Sequence, residues 1–284
     1  MRHTLLSLGA VLLCCAGAPV QSRTAAASRQ TRATAPRESL PRANDADRRA
    51  TRPLMQRAGG LYFGVSQGDD GECGWLLWID GKSSHGKLYA PPEMLDLSQL
   101  EVFTGGRVIF RSGIAFGELV YSFEGRIHLN KILGTLQANR LKGPPRAGKN
   151  KFSLSFRRIA GDLTGRRERR GVSGVYSNVE YVEEGGDLIG TELVLIQRGR
   201  ELEGILTKYE GAPNGSLPIR GAVTSGGKLR FTTRGDAGIE EYSGEVTMGK
   251  PVLTLRNSAV GKVVLPRRKD LHEMFSPGGR SGSQ

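Results

Sequence analysis

Apolar and polar residues alternate along most of this chain in short segments, as they do where a β-strand buries one side. Turn residues close these segments at roughly ten-residue intervals, a spacing typical of sandwiches and barrels. The pattern predicts eight strands in a first unit, near residues 60–66, 74–80, 85–90, 99–103, 107–111, 118–126, 132–138 and 151–158. It predicts eight more in a second unit, near residues 174–183, 188–197, 201–210, 217–224, 227–233, 239–247, 251–256 and 260–265. The predicted fold class is therefore all-β, with two tandem antiparallel meander barrel-like domains.

Two Gly-Gly hairpins indicate that the units are copies of one another. Val102–Phe110 reads Val-Phe-Thr-Gly-Gly-Arg-Val-Ile-Phe, and Val223–Phe231 reads Val-Thr-Ser-Gly-Gly-Lys-Leu-Arg-Phe. Glycine enters the positive-φ region that tight hairpin turns require. Further pairs follow in the same order: Gly60-Leu-Tyr62 with Gly174-Val-Tyr176, Gly74–Trp78 with Gly190–Val194, Gly86–Leu88 with Gly204–Leu206, and Tyr121–Gly125 with Tyr242–Gly244 after a slip of about two residues. This order predicts an internal duplication.

The same patterns predict the division of the chain. The predicted parts are a signal peptide over 1–18, a disordered basic tether over 19–57, a first barrel-like domain over 58–159, a basic linker over 160–172, a second barrel-like domain over 173–268 and a disordered tail over 269–284. One helical turn is predicted to start at Pro91, since proline suits the first helical position. A single merged barrel or a sandwich would accommodate the same strands.

The first eighteen residues predict export from the cytoplasm. Arg2 and His3 precede an apolar run over Leu5–Leu13, and Ala16-Gly17-Ala18 resembles a cleavage site. We therefore expect a secreted or periplasmic protein cleaved near Ala18, without a membrane-spanning helix. The alternative is a lipid anchor at Cys14 or Cys15, although Leu13 is not the small residue that such signals place before the cysteine. The remaining Cys73 is expected to be a buried apolar residue.

The net charge of +13 is concentrated in particular segments. Residues 19–57 hold nine arginines against three acids, and residues 140–170 hold eleven cations against two acids. A nucleic-acid-binding fold instead gathers cations and aromatics on one folded face, so no nucleic-acid partner is predicted. Basic flexible segments fit contact with an anionic cell-envelope surface. Solvated linkers are the simpler alternative.

The sequence shows no catalytic, metal or cofactor constellation, which favours a non-enzymatic protein. Gly64-Val-Ser66-Gln-Gly68 matches the nucleophile pattern of serine hydrolases, but that motif needs a helix directly after the serine. Here the next segment is a predicted strand. His85 or His128, with Asp80 or Asp96, would have to complete a triad, and no spacing orders them. A hydrolase acting through Ser66 is therefore the third functional alternative.

The order of strands resembles lipocalin-like (calycin) small β-barrels, present here in two tandem copies. Gly60-Leu-Tyr62 and Gly174-Val-Tyr176 stand where that family has Gly-x-Trp on its first strand. The resemblance implies eight-stranded meanders, each around a cup for an apolar ligand, with a closing arginine for which Arg157, Arg158 and Arg267 are candidates. It also implies protein-binding roles, which some related barrels have.

A binding role is the function that these features predict. The aromatic-rich first unit suggests a small apolar ligand lined by Tyr62, Trp75, Trp78, Phe110, Tyr121 and Phe123. The same aromatics would also suit an ordinary packed core. An envelope component is the other candidate ligand, and a structural or protein-interaction module of the envelope is the alternative function.

Overall fold

The computed structural model describes residues 53–68, 71–115, 118–141, 150–160, 171–183, 186–211, 213–235, 238–247, 252–258 and 261–275. The predicted signal peptide, nearly all of the predicted tether and most of the predicted linker lie outside these described residues. Within them, no helix is both long enough and apolar enough to cross a lipid bilayer.

Eight antiparallel strands form the first barrel, and each pairs with the next along the chain. They are β1 (Gly60–Gly68), β2 (Gly71–Ile79), β3 (Gly86–Ala90), β4 (Glu93–Val102), β5 (Arg107–Ala115), β6 (Leu119–His128), β7 (Lys131–Arg140) and β8 (Lys151–Ala160). β8 returns to pair with β1 from Leu61↔Ala160 to Ser66↔Leu154, which closes the meander. A short helix over residues 53–58 (α1) precedes β1 and contributes Met55 and Ala58 to the core.

The second barrel repeats this meander with a divided first strand. Its strands are β9 (Gly174–Ser177), β10 (Glu180–Val182), β11 (Asp187–Arg198), β12 (Glu201–Gly211), β13 (Pro213–Val223), β14 (Lys228–Gly235), β15 (Gly238–Thr247), β16 (Val252–Asn257) and β17 (Gly261–Lys269). β9 pairs with both β11 and β17, whereas β10 pairs with β11. The ladder between β9 and β17 consists of Val175↔Lys269 and Tyr176↔Arg267. Among the described residues, the segment 261–266 of β17 has no strand partner on that side, and we call this opening the seam.

The two Gly-Gly hairpins have the same backbone geometry, which supports the predicted duplication. A 3-10 turn over Thr104–Gly106 joins β4 to β5, and one over Ser225–Gly227 joins β13 to β14. Both glycines of each turn have φ between 78° and 83°. Side chains other than glycine rarely adopt this conformation, so the turn geometry explains the Gly-Gly pair.

One arginine closes each barrel over the start of its first strand. Arg158 donates a hydrogen bond to the carbonyl of Gly59, and Arg267 donates one of 2.5 Å to that of Ser173. Gly60 and Gly174 have φ of 147° and 151°, and a Cβ there would lie 2.7 Å and 2.5 Å from the respective Arg Nε. The structure therefore selects Arg158 and Arg267 as equivalent residues. It places Arg157 elsewhere, in an ion pair with Glu203 of the second barrel.

The barrels pack side by side through outward-facing apolar residues. β1, β2 and β3 of the first barrel contribute Leu61, Phe63, Leu76, Trp78 and Tyr89, and the second barrel contributes Val175, Val194, Ile196 and Ile205. A terminal helix, α2 (Leu271–Phe275), adds Leu271 and Phe275 to the same cluster. The alternatives of one merged barrel or a sandwich are therefore wrong.

Three sequence predictions differ from the structure. Glu93 begins strand β4, so no helical turn follows Pro91 and Pro92. Residues 269–275 were predicted to be part of a disordered tail, yet Lys269 ends β17 and Phe275 is 1% exposed. The helical segment 53–58 overlaps the predicted tether. In the two terminal segments, apolar side chains are ordered by contacts with distant parts of the chain, which local sequence does not reveal.

Candidate functional site

Five of the six predicted ligand-binding residues lie inside the first barrel. Phe110 stacks on Phe123 with ring centroids 4.8 Å apart, and the edge of Trp75 meets Tyr121 at 5.4 Å. Tyr62 completes this group, and its hydroxyl donates a 2.6 Å hydrogen bond to the carbonyl of Ala58. All five residues are at most 3% exposed. These rings pack against one another in the interior of the first barrel, an arrangement that eight strands permit.

Trp78 lies apart from the other five predicted residues. It is three positions after Trp75 on β2, so its side chain leaves the opposite side of the sheet. There it joins the cluster between the barrels and is 4% exposed. Its position makes Trp78 part of the contact between barrels and not part of either interior.

Ser66 is embedded in strand β1 and is 1% exposed. Its Oγ accepts a 2.9 Å hydrogen bond from the indole Nε1 of Trp75. Ser66 pairs with Cys73 at one end of β2, while the loop that contains Asp80 and His85 follows the other end. At about 3.4 Å per residue, these ends are more than 20 Å apart. The strand-turn-helix geometry of a hydrolase nucleophile is not formed at Ser66.

The second barrel contains a cavity of about 160 Å³ at one mouth. Its apolar floor is formed by Leu206, Leu255 and Val263, from strands β12, β16 and β17. Its polar rim consists of Thr191, Lys208, Glu210, Tyr242 and Asn257. Gly261 and Val263 also border the seam, so the cavity lies beside the opening between β10 and β17.

The strand registers explain why this cavity exists in the second barrel. Leu193 pairs with Leu206 as Leu77 pairs with Leu88, and Leu229 pairs with Gly244 as Val108 pairs with Gly125. With these pairs as reference points, five interior residues near the mouth differ between the barrels. The replacements are Trp75 by Thr191, Ala90 by Lys208, Tyr121 by Glu240, Phe123 by Tyr242 and Leu136 by Asn257. The large indole is lost and polar groups replace apolar ones, which leaves space at a polar rim.

Tyr242 keeps the packing of its counterpart while gaining a hydroxyl. Its ring stacks on Phe231 with centroids 5.0 Å apart, as Phe123 stacks on Phe110. The Tyr242 hydroxyl donates a 2.5 Å hydrogen bond to Oε2 of Glu240. Burial and the Glu240 carboxylate both raise the pKa of Tyr242, so the phenol keeps its proton and acts as a donor.

Lys208 and Glu240 form an ion pair across the rim. Lys208 Nζ lies 3.2 Å from Oε1 and 3.0 Å from Oε2 of Glu240. The hydrogen bond from Tyr242 contributes most to lowering the pKa of the Glu240 carboxyl. Burial opposes this effect, and the hydrogen bond and charge of Lys208 lower the pKa further. Both side chains are about a quarter exposed, so water screens the pair only in part. The rim is therefore polar but carries no net charge from this pair.

Thr233 supplies an additional polar group on the inner wall. It lies on β14 between Ile219 and Glu240 of the neighbouring strands and is 2% exposed. Its Oγ1 has no hydrogen-bond partner among the described residues. The corresponding Ser112 of the first barrel has its Oγ engaged by Tyr121 N and Gly113 O. A buried hydroxyl without a partner favours a water molecule or a ligand group beside it.

Sequence reasoning missed this cavity because it followed the aromatic residues. The pairing of Gly74–Trp78 with Gly190–Val194 already aligned Trp75 with Thr191, and the loss of an indole there was the signal that could have located it. The alignment of Tyr121 with Tyr242 was two residues out of register and hid the change from Tyr121 to Glu240.

Within the described residues, no group of three or more His, Cys, Asp or Glu is arranged to hold a metal ion.

Comparisons of the chain with protein-family models, with curated proteins and with solved structures yield no match.

Proposed function

We propose that this protein binds a small amphiphilic molecule in the mouth of its second barrel. The observation that carries the proposal is the exchange of Trp75, Tyr121 and Leu136 for Thr191, Glu240 and Asn257 at equivalent interior positions. At these positions the first barrel has large buried apolar or aromatic side chains, whereas the second has polar ones beside a cavity. A cavity maintained against close packing costs stability, so a bound molecule is a physical reason to keep it.

The size and lining of the cavity define the ligand class. A volume of about 160 Å³ is close to that of an engineered cavity of about 150 Å³ that binds benzene, so one ring or a short branched chain fits. The apolar body would rest on Leu206, Leu255 and Val263. A hydroxyl, carbonyl or amide head would meet Thr191 and Asn257 on the rim, where Glu240 compensates the charge of Lys208.

The barrel geometry supports a relationship to lipocalin-like barrels as part of this proposal. Arg158 and Arg267 donate hydrogen bonds to the carbonyls that directly precede Gly60-Leu-Tyr62 and Gly174-Val-Tyr176, as a closing arginine would. Ligand binding in a barrel mouth agrees with such a relationship. The first barrel then serves chiefly as a packed support for the second.

Native mass spectrometry of the mature protein from its own host tests the proposal. We expect an added mass that organic extraction removes. Thr191→Trp should restore the indole of the first barrel, fill the cavity and abolish the added mass. Ile239→Trp, an equally bulky change at a position 65% exposed, should retain it.

Two results would contradict the proposal. One is an unliganded mass for the wild-type protein. The other is a ligand that persists in Thr191→Trp and disappears in Trp75→Phe, which would place the site in the first barrel, as the aromatic residues had suggested.

Export and contact with an anionic envelope surface remain part of the proposed role. The basic segment 19–57 supplies charges for such contact. Deletion of residues 19–52, which leaves helix α1 in place, should release the protein from isolated envelopes at low ionic strength. Unchanged retention would contradict the idea.

A further inference from the structure

The outer wall of the second barrel carries five exposed cations on adjacent strands. We call them the cationic wall: Arg220 on β13, Lys228 and Arg230 on β14, Arg256 on β16 and Lys262 on β17. Their side chains leave the sheet on the side opposite the interior residues Leu229, Phe231 and Leu255. The five cations therefore point away from the cavity in the barrel mouth, while Tyr242 and Asn257 border both the cavity and the outer surface beside the wall.

One row of this wall runs straight across four strands. Arg230 pairs with Ser243, Ser243 pairs with Arg256, and Arg256 pairs with Lys262. With neighbouring strands about 4.8 Å apart, the row spans roughly 14 Å. Its three cations are thus aligned along one direction on the protein surface.

The row is electrostatically unfavourable in the protein alone. Arg256 and Lys262 are directly opposite one another, and like charges in that arrangement destabilise a sheet. Among the described residues, none of the five cations is within ion-pair distance of a carboxylate. Glu241 and Glu245 on the intervening strand β15 line the same surface, and Glu245 lies opposite Lys228 in the ladder, so these carboxylates offset part of the positive potential. An anionic partner would relieve this repulsion.

The surface around the row is a trough open to solvent. Depressions of about 720 Å³ and 600 Å³ lie along it, and both include Arg230, Ser243 and Arg256 in their walls. Together they form one continuous shallow groove that crosses the strands. Such a groove suits a section of extended chain better than a single small ion.

The groove combines five cations with two carboxylates, Glu241 and Glu245, and with hydroxyl groups. Thr232, Ser243, Thr247 and Thr254 contribute hydroxyls between the charged side chains. The aromatic residues in its lining, Phe231 and Tyr242, are 2% and 7% exposed, so they offer no platform on which nucleic-acid bases could stack. The lining also lacks an exposed apolar side chain of the kind that enters a lipid interface.

We propose that the cationic wall binds an anionic polysaccharide, with carboxylate or sulfate groups on Arg230, Arg256 and Lys262 and sugar hydroxyls on the threonine and serine side chains. Charge complementarity and the open groove support this partner. The proposal does not depend on a ligand in the barrel mouth.

The test uses the full mature chain and two probes, dextran sulfate and unmodified dextran of equal length. The two probes share the same polysaccharide backbone and differ only in their sulfate groups. We expect dextran sulfate to bind and unmodified dextran not to bind, and the affinity should fall as salt is raised from about 50 to about 300 mM. The triple variant Arg230→Gln, Arg256→Gln, Lys262→Gln should weaken binding by about tenfold or more, because its charges act together on one ligand.

A charge-matched control separates the wall from overall basicity. Arg111→Gln, Arg126→Gln, Lys131→Gln removes three exposed cations from the first barrel and should leave the affinity nearly unchanged. An equal loss in this control would overturn the proposal in favour of diffuse attraction. Tighter binding of phosphatidylglycerol vesicles or single-stranded DNA than of dextran sulfate, with the same sensitivity to the first triple variant, would also overturn it. Binding of the mouth ligand, measured in parallel, should be equal in both variants.

Discussion

The hydroxyl of Tyr89 in the first barrel donates a hydrogen bond to the carboxylate of Glu192 in the second. Glu192 faces outward on β11 toward the apolar contact between the barrels, next to Val194. Burial there raises the pKa of the Glu192 carboxyl, and the bond from Tyr89 and the charge of Lys269 oppose this effect. The contact between the barrels therefore contains a carboxyl group whose pKa lies above its ordinary value.

The pH dependence of stability should reveal this acid. Glu192 binds its proton more tightly in the folded chain than in the unfolded chain. The free energy of unfolding should therefore fall as the pH rises from 4.5, the ordinary pKa of a glutamate, through the pKa of Glu192 in the folded protein. Glu192→Gln keeps an acceptor for Tyr89 and should remove this part of the pH dependence. Urea unfolding between pH 4 and 8 measures the difference. The exposed Glu201→Gln serves as the control and should follow the wild type. If Glu192→Gln also shows the same dependence of unfolding free energy on pH as the wild type, Glu192 is not the acid responsible.

Removal of the Tyr242 hydroxyl should change the titration of Glu240. The hydrogen bond from Tyr242 is the largest contribution that lowers the pKa of Glu240. In Tyr242→Phe, we expect the pKa of Glu240 to rise. The ionised Glu240 carboxylate stabilises the fold above the pKa that it has in the unfolded chain, and in this variant that stability should be lost at a higher pH as the solution is acidified. NMR of the Glu240 side-chain carbon reports the change directly. The exposed Tyr181→Phe should leave this titration as it is, and a lower pKa in Tyr242→Phe would contradict the geometry.

Two glycine substitutions should differ in their cost. At Gly226, φ is 78° and nothing lies within 4 Å of the position that a Cβ would take, so Gly226→Ala should cost only the backbone preference, about 1–2 kcal/mol. At Gly174, the added Cβ would also lie 2.5 Å from Arg267 Nε and 3.0 Å from the Lys269 carbonyl. Gly174→Ala should therefore lower the free energy of unfolding further, as chemical denaturation measures. An equal loss in both variants would argue against Arg267 as the closing residue.

The terminal helix should hold the barrels together. Phe275 is 1% exposed and packs in the cluster between them, so Phe275→Ala should destabilise the pair by about 3–5 kcal/mol, the usual cost of a buried phenylalanine. Small-angle scattering should show a larger radius of gyration in this variant. Val264→Ala, at a position 47% exposed, serves as the control. An unchanged stability in Phe275→Ala would show that α2 is dispensable.

The strands were predictable because their signal is local. Alternation and Gly-containing turns located all sixteen predicted strands, with the first strand of the second unit divided into β9 and β10. The Gly-Gly repeat indicated the duplication, the resemblance to lipocalin-like barrels implied the meander order, and the sequence left a merged barrel or a sandwich open. The closing arginine was not identified, because Arg157 and Arg158 are adjacent and only the register of β8 against β1 decides which faces inward.

The candidate site was less predictable than the fold. A cavity depends on which side chains face each other across strands, and a slip of two residues at Tyr242 concealed that relationship. The cationic wall was hidden for a similar reason. The sequence analysis located the basic charge in residues 19–57 and 140–170, whereas Lys262 lies in β17 beside Arg256.

The seam of the second barrel has a consequence for its internal motions. The ladder of the first barrel continues from β1 to β8 over most of their length, while among the described residues β17 meets β9 at Tyr176 and Val175 only. Amides over 261–265 that face the seam lack strand partners among the described residues, so they should exchange with solvent deuterium sooner than their counterparts on β8. Local opening would then begin beside the cavity, and the proposed ligand could enter through the seam while the rest of the barrel stays folded.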